Sequence, residues 1–339
     1  MALRINRVHI RGLKAIKELN LPEDGFLWDG RIPDVVVIGG VNGSGKTTLL
    51  EFLWNVVRSL VYGPPNTDGP FPISLLGESS SVSLGVETTV AGQIEWSGAD
   101  DDGTPSSYVA RRIHGGTMCI VKRNSDPYKD EQRSALSRGL AGRSVLIPSD
   151  RSLTTFGDAI SLNPENDRFS NDAVCVRWKP GDAPESSLQA LLQQARWQDF
   201  NLEKAGRPAE ATHEAALTAA FHAVTNGEKR IVWPDGGKLR VELKDGTTHT
   251  LDELSSGEKQ MIIFSAHLRH LWKPGSLIFI DEPEAHLHDV WQTKLYEIIC
   301  DWQQELGGQV WLATQSAHFF GLAEVGNTLI LGGKILGVR

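Results

Sequence analysis

Gly40, Gly45, Lys46 and Thr47 stand at the spacing G-x-x-x-x-G-K-[ST], and each residue type answers one need of gripping a polyphosphate. Glycine lets the backbone turn tightly enough to aim several N–H groups inward. Lysine brings a cation to the outer phosphates, and threonine a hydroxyl that can ligate magnesium. Asn42, Gly43 and Ser44 complete the loop and Thr48 follows it. Far along the chain, Asp281 and Glu282 are adjacent carboxylates. The first is suited to hold the metal, the second to orient or deprotonate a water. A third group, Ser255-Ser256-Gly257-Glu258, precedes them, with Asp281 25 positions after Ser256. Serine and glycine at a helix start leave N–H groups that can receive a phosphate, although Ser255 with Glu258 equally fits a capping box that needs no ligand. The chemistry these residues predict is binding of a nucleoside triphosphate with Mg2+.

The flanking sequence supplies elements to position them. The β-branched run 35–38 reads as a strand, and Leu49, Leu50, Leu53, Trp54, Val57 and Leu60 fall at helical spacing after the glycine loop. The apolar run 277–280 reads as a buried parallel strand delivering its acids at the carboxyl end, where open α/β sheets bind ligands. Met261, Phe264, Leu268 and Leu271 give the helix after Ser256 an apolar stripe. A helix over 289–306, a core strand over 309–313 ending in Thr314-Gln315-Ser316, and a strand over 328–331 continue the alternation. This predicts a doubly wound sheet. His286 and His288, two apart, lack the spacing of a helical metal pair.

Elsewhere the signals are local. Residues 3–10 and 15–21 read as antiparallel strands before the glycine loop, and 81–90, 92–96 and 108–113 as further short strands. Asp100-Asp101-Asp102-Gly103 fits a hairpin turn better than a calcium loop, whose later ligands are missing. Residues 145–147 read as a returning strand, and 151–177 carry no readable element. Helices are predicted over 186–200 and 210–224, then a small meander over 229–233, 238–243 and 247–250. No heptad run is long enough for an extended coiled coil.

At 339 residues, 40% hydrophobic and 22% charged, the chain has an ordinary globular composition with room for one large or two ordinary domains. No apolar run approaches the length of a bilayer span and the basic start lacks a signal-peptide core, which predicts a cytoplasmic protein without a membrane partner. Cys119, Cys175 and Cys300 are far apart, as expected of reduced structural thiols. The net charge of −8 argues against coating nucleic acid by bulk charge. Locally, Arg111, Arg112, Lys122, Arg123, Lys129, Arg133, Arg138, Arg143 and Arg151 outnumber Asp126, Asp130, Glu131 and Asp150, so DNA stays a candidate partner.

With the glycine loop, the Ser-Ser-Gly-Glu stretch and the Asp-Glu strand in that order, the chain resembles ABC-type ATPases of the branch containing SMC proteins, RecF and the OLD-type ATPases of DNA repair and antiphage defence. The opening 10–16, the run 254–260 and Asp281-Glu282-Pro283-Glu284-Ala285-His286-Leu287-His288 carry the likeness, which spans roughly residues 1–60 and 250–339. The resemblance implies a single ABC-type head: an antiparallel N-terminal β subdomain and a mostly parallel sheet in a nucleotide-binding lobe (1–150 and 272–339), with a helical signature lobe over 151–271. It implies a head-to-tail homodimer, or higher oligomer, in which ATP at Lys46 of one copy is capped by Ser256, Gly257 and Glu258 of the other. Lys14 joins the nucleotide site by the same likeness, and Glu282 takes the role of catalytic base. Gln315 occupies the position of the branch's switch histidine, which implies slow hydrolysis, with His318 as a partial substitute. Relatives with their own nuclease carry it in a further C-terminal domain, so a separately encoded effector is expected here, and no zinc hook is present. Two other readings fit parts of the sequence: a non-catalytic ATP-gated scaffold, suggested by Gln315, and the nucleotide subunit of a transporter.

Overall fold

In the computed structural model the described residues are 4–13, 15–21, 33–62, 76–88, 92–98, 109–112, 118–121, 144–147, 149, 174–175, 184–206, 213–233 and 239–332. Lys14, most of the basic stretch between Lys122 and Arg151, and nearly all of 151–177 lie outside them.

A six-stranded parallel sheet organises the molecule. Its strands are β3 (Val35–Gly40), β8 (Ser144–Ile147), β9 (Val174–Cys175), β13 (Leu277–Asp281), β14 (Gln309–Thr314) and β15 (Thr328–Leu331), in the spatial order β15-β3-β14-β13-β8-β9. Their near-continuous apolar sequences follow from burial on both faces. Alternate residues divide between two cores, as the period of two requires. Val36, Ile38, Phe279 and Trp311 face one core, and Val35, Val37, Ile280 and Leu312 face the other.

The first core is closed by α1 (Lys46–Tyr62), through Leu49, Leu50, Leu53 and Trp54, and by an antiparallel sheet beginning with β1 (Arg4–Leu13) and β2 (Ile16–Leu21). That sheet continues through β4 (Leu76–Thr88) to β5 (Gly92–Gly98), with β1 and β4 in antiparallel register. Gln309, fully buried at the start of β14, joins the two sheets. Its Oε1 accepts from Ile5 N–H at 2.9 Å and Trp311 Nε1 at 3.0 Å, and its Nε2 donates to Ile5 O at 3.1 Å and Pro33 O at 3.0 Å. All four groups are thereby satisfied away from water. β6 (Val109–Arg112) and β7 (Met118–Val121) form a separate hairpin; the sequence does not predict β7.

The second core is closed by the helical lobe: α2 (Pro184–Lys204), α3 (His213–Val224), α4 (Ser256–Leu271), α5 (Asp289–Leu306) and the short α6 (Ala317–Gly321). Phe221, Met261, Leu268 and Trp272 are buried there. Each such side chain contributes about 2–3 kcal/mol relative to exposure. Asp199 near the end of α2 caps α3, accepting from His213 N–H at 2.7 Å and Glu214 N–H at 3.1 Å. Burial works against its charge, but these bonds and the His213 ring outweigh it and lower its pKa. The meander is β10 (Lys229–Val232), β11 (Arg240–Leu243) and β12 (Thr248–His249). β9 extends the central sheet from within the stretch where no element was legible.

Candidate functional site

Parallel strands present their carboxyl ends at one edge, so the turns after β3, β13 and β14 emerge together, with β14 between the other two. The loop after β3 is pinned by close approach. A Cβ on Gly40 would lie 2.6 Å from Leu331 O on β15, and Gly45 has φ +97 with Ile16 Cγ1 2.8 Å from its would-be Cβ. Only glycine serves at either position.

Lys46 opens α1 and is 5% exposed. Its ammonium donates to Gly40 O at 2.7 Å and Val41 O at 3.2 Å, which folds it back across the loop. Thr47 Oγ1 donates to Asp281 Oδ2 at 2.5 Å, uniting two motifs 234 residues apart. Asp281 is 1% exposed at the end of β13. Asn42 and Gly43 are exposed at the loop's crest, and Ser44 and Thr48 are half-buried beneath it. Ser44 Oγ is buried without a hydrogen-bond partner among the described residues.

The turn after β13 is bent in an unusual way. Glu282 has φ 48 and His286 φ 66, and Asn226 is the one further non-glycine with positive φ among the described residues. Such conformations cost energy and persist where the surroundings over-determine them, often at functional sites. Glu282 N–H bonds Ala313 O of β14 at 2.7 Å, and Ala285 N–H returns to Glu282 O at 3.0 Å. Gln315 is exposed just beyond β14. His318 is also exposed, with Nε2 2.9 Å from Thr293 Oγ1 on α5. His286 and His288 are exposed loop residues, His288 standing at the N-cap of α5.

Glu284 joins the turn after β13 to the loop after β14, and the spacing argument passed over it. It is 6% exposed, and its Oε1 accepts from Thr314 Oγ1 at 2.6 Å, Gln315 N–H at 3.0 Å and Ser316 N–H at 3.2 Å. A third carboxylate within four positions of Asp281 was the available signal.

The signature stretch lies at the start of α4. Ser255 is its N-cap in a full capping box, with Glu258 N–H on Ser255 Oγ at 3.3 Å and Ser255 N–H on Glu258 Oε2 at 3.0 Å. Glu258 also receives Lys229 Nζ at 2.6 Å. Burial raises its pKa, but the lysine and Ser255 outweigh that and the net shift is downward. Glu258 is thus held by its own chain. Ser256 is exposed, and a Cβ at Gly257 would meet nothing within 4 Å. Gln260, Met261 and Phe264 share a shallow cleft with Pro283, Ala285 and Leu287, so α4 packs on the turn that carries Glu282.

The donors present suit the groups the motifs imply. Thr47 and Asp281 offer hard oxygens of the kind magnesium takes, and the glycine cradle at the head of α1 suits a phosphate chain. Sheet order, loop and signature helix define a P-loop nucleoside triphosphatase fold of ABC type.

Residues 123–320, more than half of the 339, match the family described as AAA domain, putative AbiEii toxin, Type IV TA system. The chain belongs to that family. No curated protein matches it. Solved structures similar to it include an Smc head bound to the C-terminal winged-helix domain of ScpA, at 15% identity and TM-score 0.47 over 94% of this chain and 92% of that one. An Smc head with an extended coiled coil, bound to the C-terminal domain of ScpA derived from Pyrococcus furiosus, matches at 13% identity and TM-score 0.49, covering 95% and 92%. The SMC head domain from Thermotoga maritima matches at 13% and 0.45, covering 95% and 92%. Among the described residues no helix is long and apolar enough to cross a membrane.

Proposed function

We propose that the protein binds ATP with magnesium at the edge where β3, β13 and β14 end, hydrolyses it slowly, and while ATP is bound joins a second copy head to tail. The observation that carries this is the 2.5 Å bond from Thr47 to Asp281 beside the buried Lys46, since it assembles the phosphate-gripping and metal-holding groups in one place. Thr47 and Asp281 hold the magnesium ion, which when bound neutralises charge on the outer phosphates. Lys46 exchanges its carbonyl acceptors Gly40 and Val41 for phosphate oxygens, while the first N–H groups of α1 receive the rest. Glu282 orients the attacking water and accepts its proton as the new P–O bond forms and the bond to ADP breaks. Gln315 sits beside this chemistry with an amide that can hydrogen-bond water or phosphate but cannot carry a proton, which keeps turnover slow. His318 already has Thr293 as a partner and contributes only if it leaves it.

Ser256 and Gly257 present the start of α4 outward, and in the dimer they cap the nucleotide of the other copy. The ATP-closed dimer then licenses DNA engagement or a separately encoded effector such as a nuclease. The family's description, which names a putative toxin and a toxin–antitoxin system, supports a role within such a system. The scaffold reading rests on Gln315. Steady-state phosphate release separates the two. Glu282→Gln keeps ATP binding and lowers turnover about 10²- to 10⁴-fold. Equal rates in variant and parent place the base elsewhere, and a parent that binds ATP without releasing phosphate is a scaffold.

A further inference from the structure

We propose that Glu284 is a positioning residue for hydrolysis: one buried carboxylate oxygen ties the turn carrying Glu282 to the loop carrying Gln315, so the two sides of the reaction site keep one relative placement. The assignment rests on the hydrolytic reading above and goes beyond it. The tie converges on a single atom. Thr314 Oγ1, Gln315 N–H and Ser316 N–H all donate to Glu284 Oε1, while its buried Oε2 has no hydrogen-bond partner among the described residues.

A second tie closes the circuit through α5. Ser316 Oγ donates to Gln292 Oε1 at 2.7 Å, and Gln292 Nε2 donates to Leu287 O at 2.9 Å, at the far end of the same turn. Glu284 is 6% and Gln292 7% exposed, so the side chain that anchors each bridge is itself largely withdrawn from water. The left-handed His286 lies between the two anchor points Glu284 and Leu287, and the left-handed Glu282 stands just before the first of them. A backbone held in so unfavourable a region needs surroundings that fix it from more than one side, and Glu284 and Gln292 provide two such fixings. Glu284 itself touches no reacting atom. Its effect passes through the placement of Glu282 and Gln315.

Convergence on one oxygen makes the function separable from charge. Glu284→Gln retains an acceptor of the same reach, Glu284→Asp retains the charge one methylene short, and Glu284→Ala removes both. With the full chain and magnesium–ATP, Glu284→Gln keeps kcat near the parental value, whereas Glu284→Asp and Glu284→Ala lower kcat with KM unchanged. Misplacement on the ångström scale costs up to about 100-fold. Gln292→Met, which breaks only the second bridge, lowers kcat in the same direction and guards against a Glu284→Ala protein that does not fold. Amide exchange at Gln315 and Ser316 quickens in Glu284→Ala and stays slow in Glu284→Gln. Loss of turnover in Glu284→Gln as deep as in Glu284→Ala overturns the proposal, because the charge or proton is then what matters. Parental kcat in both Glu284→Ala and Gln292→Met overturns it as well. A parent without phosphate release fails the hydrolytic reading first and this assignment with it, whereas parental turnover untouched by the variants fails this assignment alone.

Discussion

The phosphate loop and the start of α4 are both glycine-containing helix openings, yet they are finished differently. At the loop the side chains are gripped from within: Lys46 lies across Gly40 and Val41, Thr47 is bonded to Asp281, and Ile16 closes over Gly45. At α4 the cap turns inward, with Glu258 held by Ser255 and Lys229, while Ser256 and Gly257 face open space. The first opening is held in place by its own contacts, so a ligand would take over donors that Gly40, Val41 and Asp281 already hold in position. The second keeps the unsatisfied N–H groups and positive dipole end of a helix start on the surface. On the proposed reading, one chain thus offers a phosphate site of its own and a helix end suited to complete one on a neighbour.

Breaking the loop side has the largest expected effect. Lys46→Ala removes the cation at the head of α1, and ATP affinity should fall about 100-fold, the scale of a charge-assisted contact of roughly 3 kcal/mol. Calorimetric titration with magnesium–ATP checks it; undiminished affinity removes the loop from the nucleotide site. Breaking the other side should leave that titration alone. Gly257→Trp places a bulky side chain where nothing lies within 4 Å, so the monomer should fold and bind ATP as before but fail to dimerise.

The smallest effect concerns acid and falls on α4. His267 is fully buried there; desolvation, with a lesser push from His270, lowers its pKa to about 3 despite the Ile263 carbonyl at 2.6 Å. The unfolded chain binds this proton near pH 6.5 and the folded one does not. The contribution is therefore intact above 6.5 and declines as pH falls from there toward 3. Between pH 7 and 5 it amounts to about 2 kcal/mol. Denaturant midpoints at the two pH values should differ by less in His267→Met than in the parent. An equal difference in both proteins assigns the acid sensitivity to other groups.

The parts legible in the sequence are those with a short-range signature. Glycine spacing, the β-branched run before it and the apolar run ending in Asp281-Glu282 are each consecutive, so strand, loop and carboxylates could be placed without the fold. Glu284 and Gln309 were not legible as anchors, because the partners Thr314 of Glu284 and Ile5 of Gln309 lie 30 or more residues away and nothing local distinguishes a carboxylate that accepts three hydrogen bonds from a solvated one. Glu258 was read toward a ligand as well as toward a cap, and its Lys229 partner, 29 residues upstream, is visible only once β10 and α4 pack together. β9 escaped notice because two residues carry no period.

A mixing experiment tests the shared site most directly. Lys46→Ala and Gly257→Trp proteins, each inactive alone, are combined and assayed for phosphate release, with light scattering to follow assembly. A head-to-tail dimer with composite sites gives one competent site per mixed pair, formed from the intact loop of one chain and the intact α4 of the other. Turnover in the mixture should therefore rise well above the sum of the separate proteins, and the mixed dimer should form only with ATP. A mixture no more active than its parts, with both variants folded, or a parental dimer equally populated without nucleotide, contradicts the ATP-bridged assembly.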